Sequence, residues 1–498
     1  MDITNKAVRS EQLTLRFYNT ATRNKEIFQP LEEGKVKIYV CGVTVYDLCH
    51  IGHARSAIVF DLLVRYLRAR GFDVTYVRNF TDVDDKIIER ARQLGKETRV
   101  IAQEYIDAFY EDMGRLRVLK ADVEPRATEH IDGMIAMVKT LLDRGYAYVE
   151  GDEVFFSVES YTDYGVLSGR KLEDMQAGSR IAVDGKKRHP MDFVLWKGAK
   201  LGEPRWQSPW GFGRPGWHLE CSVMSNHYLG NSFDIHGGGK DLLFPHHENE
   251  RAQSIATHGG TFARYWIHNG FVTVESEKMS KSLGNFLTIR DALKSYPPEV
   301  LRFFLLSKHY RSPLDFTKDA VSGFQTGLVR IYRTLLKLEG LLGPPEPEGK
   351  NTHTQFLEGN RHDPFIDEFI HLMDDDMNTA GVMGLLFEKI KDINIRMEPG
   401  RKPIEAGTRA KLANDRRNFL MAGRVLGVLQ ERPSEFLKEL SGSSEKIDAT
   451  EIEALIAARA EARKAKDWAK ADGIRDQLKT MGIVLEDGPQ GTSWRLDV

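Results

Sequence analysis

Residues 36–43 set β-branched and aromatic side chains close together and predict a buried strand. After a short loop, Ile58, Val59, Leu62, Leu63, Tyr66 and Leu67 recur at helical spacing over 54–70, and Gly71 ends that helix. Residues 73–80 read as a second strand. Together they form a strand–helix–strand unit of the kind that builds a parallel sheet, and such sheets bind ligands at the carboxyl ends of their strands. From about 118 to 200 the pattern loses regularity, mixing one helical run (131–144), short strands such as 153–158 and a glycine- and charge-rich stretch near 178–190. That excursion reads as an insertion. Strand and helix signals return at 232–236, 245–257 and 265–274, which predicts that the same sheet is completed afterwards. Beyond Pro298 the reading is helical, with amphipathic runs at 299–307, 318–341, 364–397 and 407–429. Residues 343–349 and 431–444 are connectors, and 449–480 reads as two short helices.

Composition changes the picture only by exclusion. A chain of 498 residues allows about three domains, and 41% apolar residues supply their cores. No apolar stretch approaches the ~18 residues that cross a bilayer, and residues 1–15 lack a basic-then-apolar signal, so a cytoplasmic protein with no membrane partner is expected. Cys41, Cys49 and Cys221 are too few and too scattered for a disulfide framework and are read as reduced thiols. With 70 basic against 72 acidic residues, net charge neither supports nor excludes a polyanionic partner.

Two motifs carry chemistry. His50-Ile51-Gly52-His53 falls between the first strand and its helix, where free backbone N–H groups and the helix dipole attract anions. Two imidazoles there can donate to phosphate oxygens, and Gly52 admits a flat ligand close to the backbone. Lys278-Met279-Ser280-Lys281-Ser282-Leu283-Gly284-Asn285 follows the last strand as a polar loop that can bring two ammonium groups to a triphosphate. No G-x-x-x-x-G-K-[ST] loop is present, which argues against an ordinary P-loop NTPase.

In this order, the two signatures resemble those of class I aminoacyl-tRNA synthetases. The runs 39–47, 78–86, 216–221 and 233–250 narrow the resemblance to the cysteinyl-tRNA synthetases, over about 15–495. The resemblance implies an α/β fold: a Rossmann-like parallel-sheet catalytic domain with an inserted connective domain, then a helical bundle and a small C-terminal anticodon-binding domain. The expected boundaries are 1–117 and 201–275 for the halves of the catalytic domain and 118–200 for the insertion. The lysine loop and stem-contact region take 276–317, the bundle 318–430, and the linker with the terminal domain 431–498.

Expected activity follows from the same likeness: ATP-dependent ligation of L-cysteine to tRNA(Cys) through an adenylate, by a monomer. His50, His53, Lys278 and Lys281 would be catalytic. ATP would lie on His50, Gly52, His53, Gly238, Asp241 and Lys281, with Mg2+ accompanying it. By residue type alone, Cys41, Cys221, His246 and Glu250, the last two at i and i+4 on one helical face, make a plausible zinc set, while the cysteines could equally be buried small hydrophobes and the His/Glu a surface pair. The resemblance implies instead that these four hold one Zn2+ per chain, which selects the substrate thiolate over a hydroxyl. Trp217, His218 and His236 would contact the amino acid or adenylate, and Cys49 is read as a packed side chain.

At the carboxyl end, Arg459, Arg463, Lys466 and Lys470 share a helical face. Resemblance makes this segment the reader of the anticodon GCA, through Arg463, Asp472, Asp487 and Trp494, with Trp468 expected in the core. It also argues against a related ligase that joins cysteine to an amino-sugar, which lacks that segment. A catalytically dead RNA-binding paralogue would have lost signature residues.

Overall fold

The computed structural model describes residues 15–172, 185–278, 286–345, 362–398, 404–443, 449–465, 467–480, 483–488 and 491–496. A hairpin of β1 (Arg16–Asn19) and β2 (Asn24–Ile27) leads into β3 (Lys35–Thr44), the strand predicted at 36–43. Helix α1 (Ile51–Ala69) and β4 (Asp73–Thr81) complete the first crossover unit. Helices α2 (Asp85–Leu94) and α3 (Thr98–Arg115) follow, residues 123–126 then run parallel beside β4, and α4 (Ile131–Asp143) comes next.

The insertion is built around an antiparallel sheet of β5 (Ala147–Glu150), β6 (Glu153–Phe156), β7 (Phe193–Gly198), β8 (Trp206–Ser208) and β9 (Gly211–Pro215), ordered β5-β6-β7-β9-β8. Its last two strands lie beyond the boundary expected at 200: β9 pairs with β7, so chain length to Pro215 is spent closing the inserted sheet.

Helix Trp217–Leu229 returns the chain to the main sheet. β10 (Phe233–Gly239), helix Glu248–His258 and β11 (Ala263–Asn269) supply the second crossover. The four parallel strands run β11-β10-β3-β4. From β3 the chain moves outward to β4 on one side, and from β10 outward to β11 on the other. The topological switch point therefore falls between β3 and β10, where open α/β sheets hold their ligands. Gly237 allows the helix packing there, because a Cβ on it would lie 2.2 Å from the Phe60 ring of α1.

Two polar side chains in α1 are buried for tertiary reasons. Arg55 donates to the carbonyl oxygens of Gly270, Phe271 and Ser312, at 3.1, 2.7 and 2.6 Å. It thereby ties the helix to the small sheet β12 (Val272–Val274), β13 (Glu277–Lys278) and β14 (Leu314–Phe316). Asp61 pairs with buried Arg302, which also donates to the carbonyls of Leu116 and Leu426.

By contact density the chain forms two units: Met1–Lys318 with Pro347–Lys389 and Asn418–Val428, and Asp319–Glu346 with Ile390–Arg417 and Leu429–Val498. The helical run expected at 364–397 is two helices, Pro364–Asp374 and Thr379–Met397. Asp376 and Met377 take positive φ between them, and the Asp376 carboxylate accepts from the Tyr18 N–H, the Tyr310 hydroxyl and Arg311. Those three bonds outweigh continued helix. In the second unit, helices Ala449–Lys464 and Trp468–Thr480 pack through Leu455, Ile456, Ile474 and Leu478 beside the hairpin β15 (Ile483–Gly488) and β16 (Gly491–Leu496).

Candidate active site

His50 is the N-cap of α1, and the two signature histidines cap one another. His50 Nδ1 accepts from the N–H groups of Gly52 (3.0 Å) and His53 (3.4 Å), and His53 Nδ1 accepts from the His50 N–H (3.3 Å). Their rings stack with centroids 3.7 Å apart. Because each Nδ1 is an acceptor, each neutral ring carries its proton on Nε2, which becomes its outward donor. Burial, then the His50 neighbour and Lys86, push the His53 pKa down to about 3. His53 is thus a neutral dipolar donor, in keeping with the donation to phosphate oxygens expected of it.

The stretch after the lysine loop is fastened to this motif. The Ile51 N–H donates to Leu287 O (3.1 Å), the Ile289 N–H donates to Cys49 O (2.9 Å), and the Phe286 ring meets His50 edge-on at 5.2 Å. Lys278 lies in β13, opposite Thr273; Lys281 lies outside the described residues.

Across the switch point, β3, helix Trp217–Leu229, the turn Leu243–His247 and the start of helix Glu248–His258 bring Cys41, Cys221, His246 and Glu250 together, with donor atoms all within 4.8 Å of one another. Cys41 is half-buried and the other three are buried. The Cys41 and Cys221 sulfurs are 3.6 Å apart, Cys41 Sγ is 3.3 Å from Glu250 Oε1, and His246 Nε2 is 2.8 Å from that same oxygen. Burial alone would raise Glu250, but His236 and His246 hold it well below the carboxylate range. Burial likewise pushes the Cys221 thiol up, while the Cys41 bond and His246 bring it below its ordinary value. A buried cluster of two sulfurs, one imidazole and an ionised carboxylate fits a divalent cation of borderline softness, as zinc is.

A second grouping, Cys41, His236, His247 and Glu250, also converges within 4.8 Å and shares two donors with the first. His236 Nε2 is 2.7 Å from Glu250 Oε2, His218 Nδ1 is 2.8 Å from His246 Nδ1, and the Trp217 indole, 39% exposed, stacks on His246 at 4.2 Å. Both histidines expected at the substrate thus brace members of the donor quartet.

Sequence reasoning missed the extension behind them. His247 Nδ1 is 2.8 Å from His268 Nε2, and His268 Nδ1 is 2.8 Å from Thr20 Oγ1. No periodicity joins residues 20, 247 and 268. Gly238, next to last in β10, lies beside the His247 ring, and Asp241 follows in the next turn. Cys49 is buried, and burial pushes its thiol up to about 12.

In the terminal segment Arg463 and Asp472 are exposed, and Asp472 lies 3.4 Å from Arg475. Asp487 pairs in register with Thr492, and Trp494 with Leu485; their side chains lie outside the description. Trp468, expected in the core, is 59% exposed at the first residue of its helix. Ile474 and Leu478 fill the small core on the helix's other side.

A histidine-capped helix at the switch point of a parallel sheet, interrupted by an antiparallel insertion, defines a class I aminoacyl-tRNA synthetase. Residues 27–325 match the family described as tRNA synthetases class I (C) catalytic domain, 368–430 the DALR domain, and 449–495 the cysteinyl-tRNA ligase anticodon binding domain. The cysteine–tRNA ligases of Pelobacter propionicus and Syntrophobacter fumaroxidans are each 52% identical to the chain, covering 97% of it and 100% of themselves. Among solved structures, Mycobacterium tuberculosis methionyl-tRNA synthetase with methionyl-adenylate superposes with a TM-score of 0.58 at 16% identity. It covers 79% of this chain and 90% of its own. The chain belongs to the cysteine–tRNA ligase family, and its activity is the charging of tRNA. No described helix is long and apolar enough to cross a membrane.

Proposed function

We propose that the chain charges tRNA(Cys) in two steps: L-cysteine and ATP form cysteinyl-adenylate with release of pyrophosphate, then the cysteinyl group passes to a terminal ribose hydroxyl with release of AMP. The observation that carries this reading is the convergence of four metal-type donors at the switch point that also holds the histidine-capped helix. Cys41, Cys221, His246 and Glu250 would hold one Zn2+. Bound there, zinc supplies a site that accepts a thiolate and has little use for a serine hydroxyl, a discrimination beyond the ~1–3 kcal/mol available from pocket shape.

The chain's own groups do the rest. His50 and His53 present Nε2–H donors at the amino end of α1, where the helix dipole adds to them, and Gly52 lets the nucleotide approach the backbone. Lys278 and Lys281 engage the triphosphate as negative charge moves onto the leaving oxygens, with Mg2+ accompanying ATP. Gly238 and Asp241 receive the nucleoside. Trp217 covers the amino-acid pocket, while His218 and His236 hold His246 and Glu250 in orientation. Arg463, Asp472, Asp487 and Trp494 read the anticodon GCA.

Cysteine-dependent ATP/pyrophosphate exchange tests the reading. Exchange should require cysteine, fail with serine and fall after chelation. Serine supporting exchange as well as cysteine would overturn the metal-selection argument.

A further inference from the structure

The run 78–86 ends in a cation that the reaction above leaves unused. Lys86 sits in the first turn of α2, and its backbone N–H donates to the N-cap Asp84 at 2.9 Å. Its neighbour Asp85 is committed to Lys197 and Arg214, and among the described residues no carboxylate is ion-paired with Lys86. Instead Nζ stands 5.3 Å from the centroid of the Tyr46 ring. Tyr46 belongs to the short loop that runs from Thr44, the end of β3, to His50, the cap of α1. An aromatic face orients an ammonium without neutralising it. The charge is needed, since a triphosphate is a polyanion and the mutually capped imidazole pair offers neutral N–H dipoles. The Tyr46 loop carries the chain directly into His50, and Lys86 is among the charges that lower the His53 pKa.

We propose that Lys86 is a further phosphate-contacting residue of the adenylation step, its ammonium held over Tyr46 and directed at the β,γ-phosphates of ATP beside His50 and His53. The proposal rests on the ATP-activating reading above and adds a residue to it. In the step concerned, the cysteine carboxylate forms a bond to the α-phosphorus. The bond from that phosphorus to the bridging oxygen breaks, and pyrophosphate leaves with the electron pair. Lys86 offsets the charge gathering on pyrophosphate, and no proton need move.

Lys86→Gln and Lys86→Arg in the full chain separate the possibilities. With cysteine saturating, Lys86→Gln should lower kcat/KM for ATP in exchange about 10- to 100-fold, the loss of one charge-assisted contact. It should raise the KM for pyrophosphate by a similar factor and leave competitive inhibition by AMP within twofold, while Lys86→Arg recovers most of the loss. Unchanged ATP and pyrophosphate constants in Lys86→Gln would overturn the proposal. So would an equal weakening of AMP and pyrophosphate, because the residue would then merely shape the pocket. Should Lys86→Gln melt below the parent, Tyr46→Leu carries the same test, with a several-fold rise in the pyrophosphate KM expected and no change refuting. A parent chain inactive in cysteine-dependent exchange would sink the wider reading instead.

Discussion

Gly42→Ala tests whether the donor quartet depends on the backbone beneath it. Gly42 follows Cys41 on β3, at the point where pairing with β4 shifts register between Val40 and Val43. Its N–H donates to Asn79 Oδ1 at 2.8 Å, and that oxygen lies 3.7 Å from Cys221 Sγ. A Cβ on residue 42 would fall 1.6 Å from the Asn79 carbonyl oxygen, whereas real Cβ contacts do not come under 3.0 Å. β3 and β4 must therefore part locally by about 1.4 Å, with backbone and not a flexible side chain giving way. Metal–ligand distances tolerate about 0.2 Å, so Cys41 cannot keep its place. Overpacking should cost about 1–3 kcal/mol of stability, and affinity for the zinc proposed above, read by competition with a chromogenic chelator, should fall at least 10-fold. Cysteine-dependent exchange should fall in parallel, while AMP binding stays within a few-fold. Gly114→Ala on α3, where a Cβ meets open space, is the neutral control. A Gly42→Ala protein that binds one zinc at the parent's affinity and charges tRNA within twofold would refute the argument.

Three further outcomes are expected. Asp61 is buried, accepts from the Leu119 N–H at 2.9 Å and Arg65 at 2.8 Å, and pairs with Arg302. Burial raises it, but the two guanidiniums bring it below the carboxylate range, so Asp61→Asn should cost about 3–5 kcal/mol. That contribution is complete above the unfolded-state pKa of about 3.9 and is lost as pH falls through the lower folded value. Melting curves of parent and variant should therefore converge only in acid, and a gap that persists unchanged at pH 2 would count against the pairing. Trp468→Ala should change stability by no more than about 0.5 kcal/mol in thermal melts, as expected of an exposed side chain. A loss of about 3 kcal/mol would return the indole to the core. Cys49, buried with its thiol pushed up to about 12, should resist iodoacetamide at pH 8 until the chain unfolds. Mass-spectrometric detection of its alkylation in native protein would contradict this.

What could be read in advance follows the range of the forces involved. β3, α1 and β4 announced themselves because each is decided within a window of ten to twenty residues by a single apolar period. The break at Asp376 did not, since it is decided by Tyr18, Tyr310 and Arg311, residues far away in sequence. Trp468 was expected in the core, yet among the described residues Ile474 and Leu478 fill the small core its helix faces, and the indole is left in solvent. The inserted sheet outran its expected boundary for a related reason: β8 and β9 are short, and their place is set by pairing with β7, not by their own composition. At the site, His50 and His53 were legible as a pair because they act across one helical turn. Cys41 and Cys221, 180 residues apart, were not joined by any local rule; residue type offered them only as one plausible set of donors, and the resemblance chose it. The Thr20–His268–His247 chain and the approach of Lys86 to Tyr46 had no sequence signal at all. Function here is concentrated where chain topology, more than local pattern, chooses the neighbours. The parallel sheet explains why: it sets the carboxyl ends of β3 and β10 side by side although the whole insertion separates them along the chain.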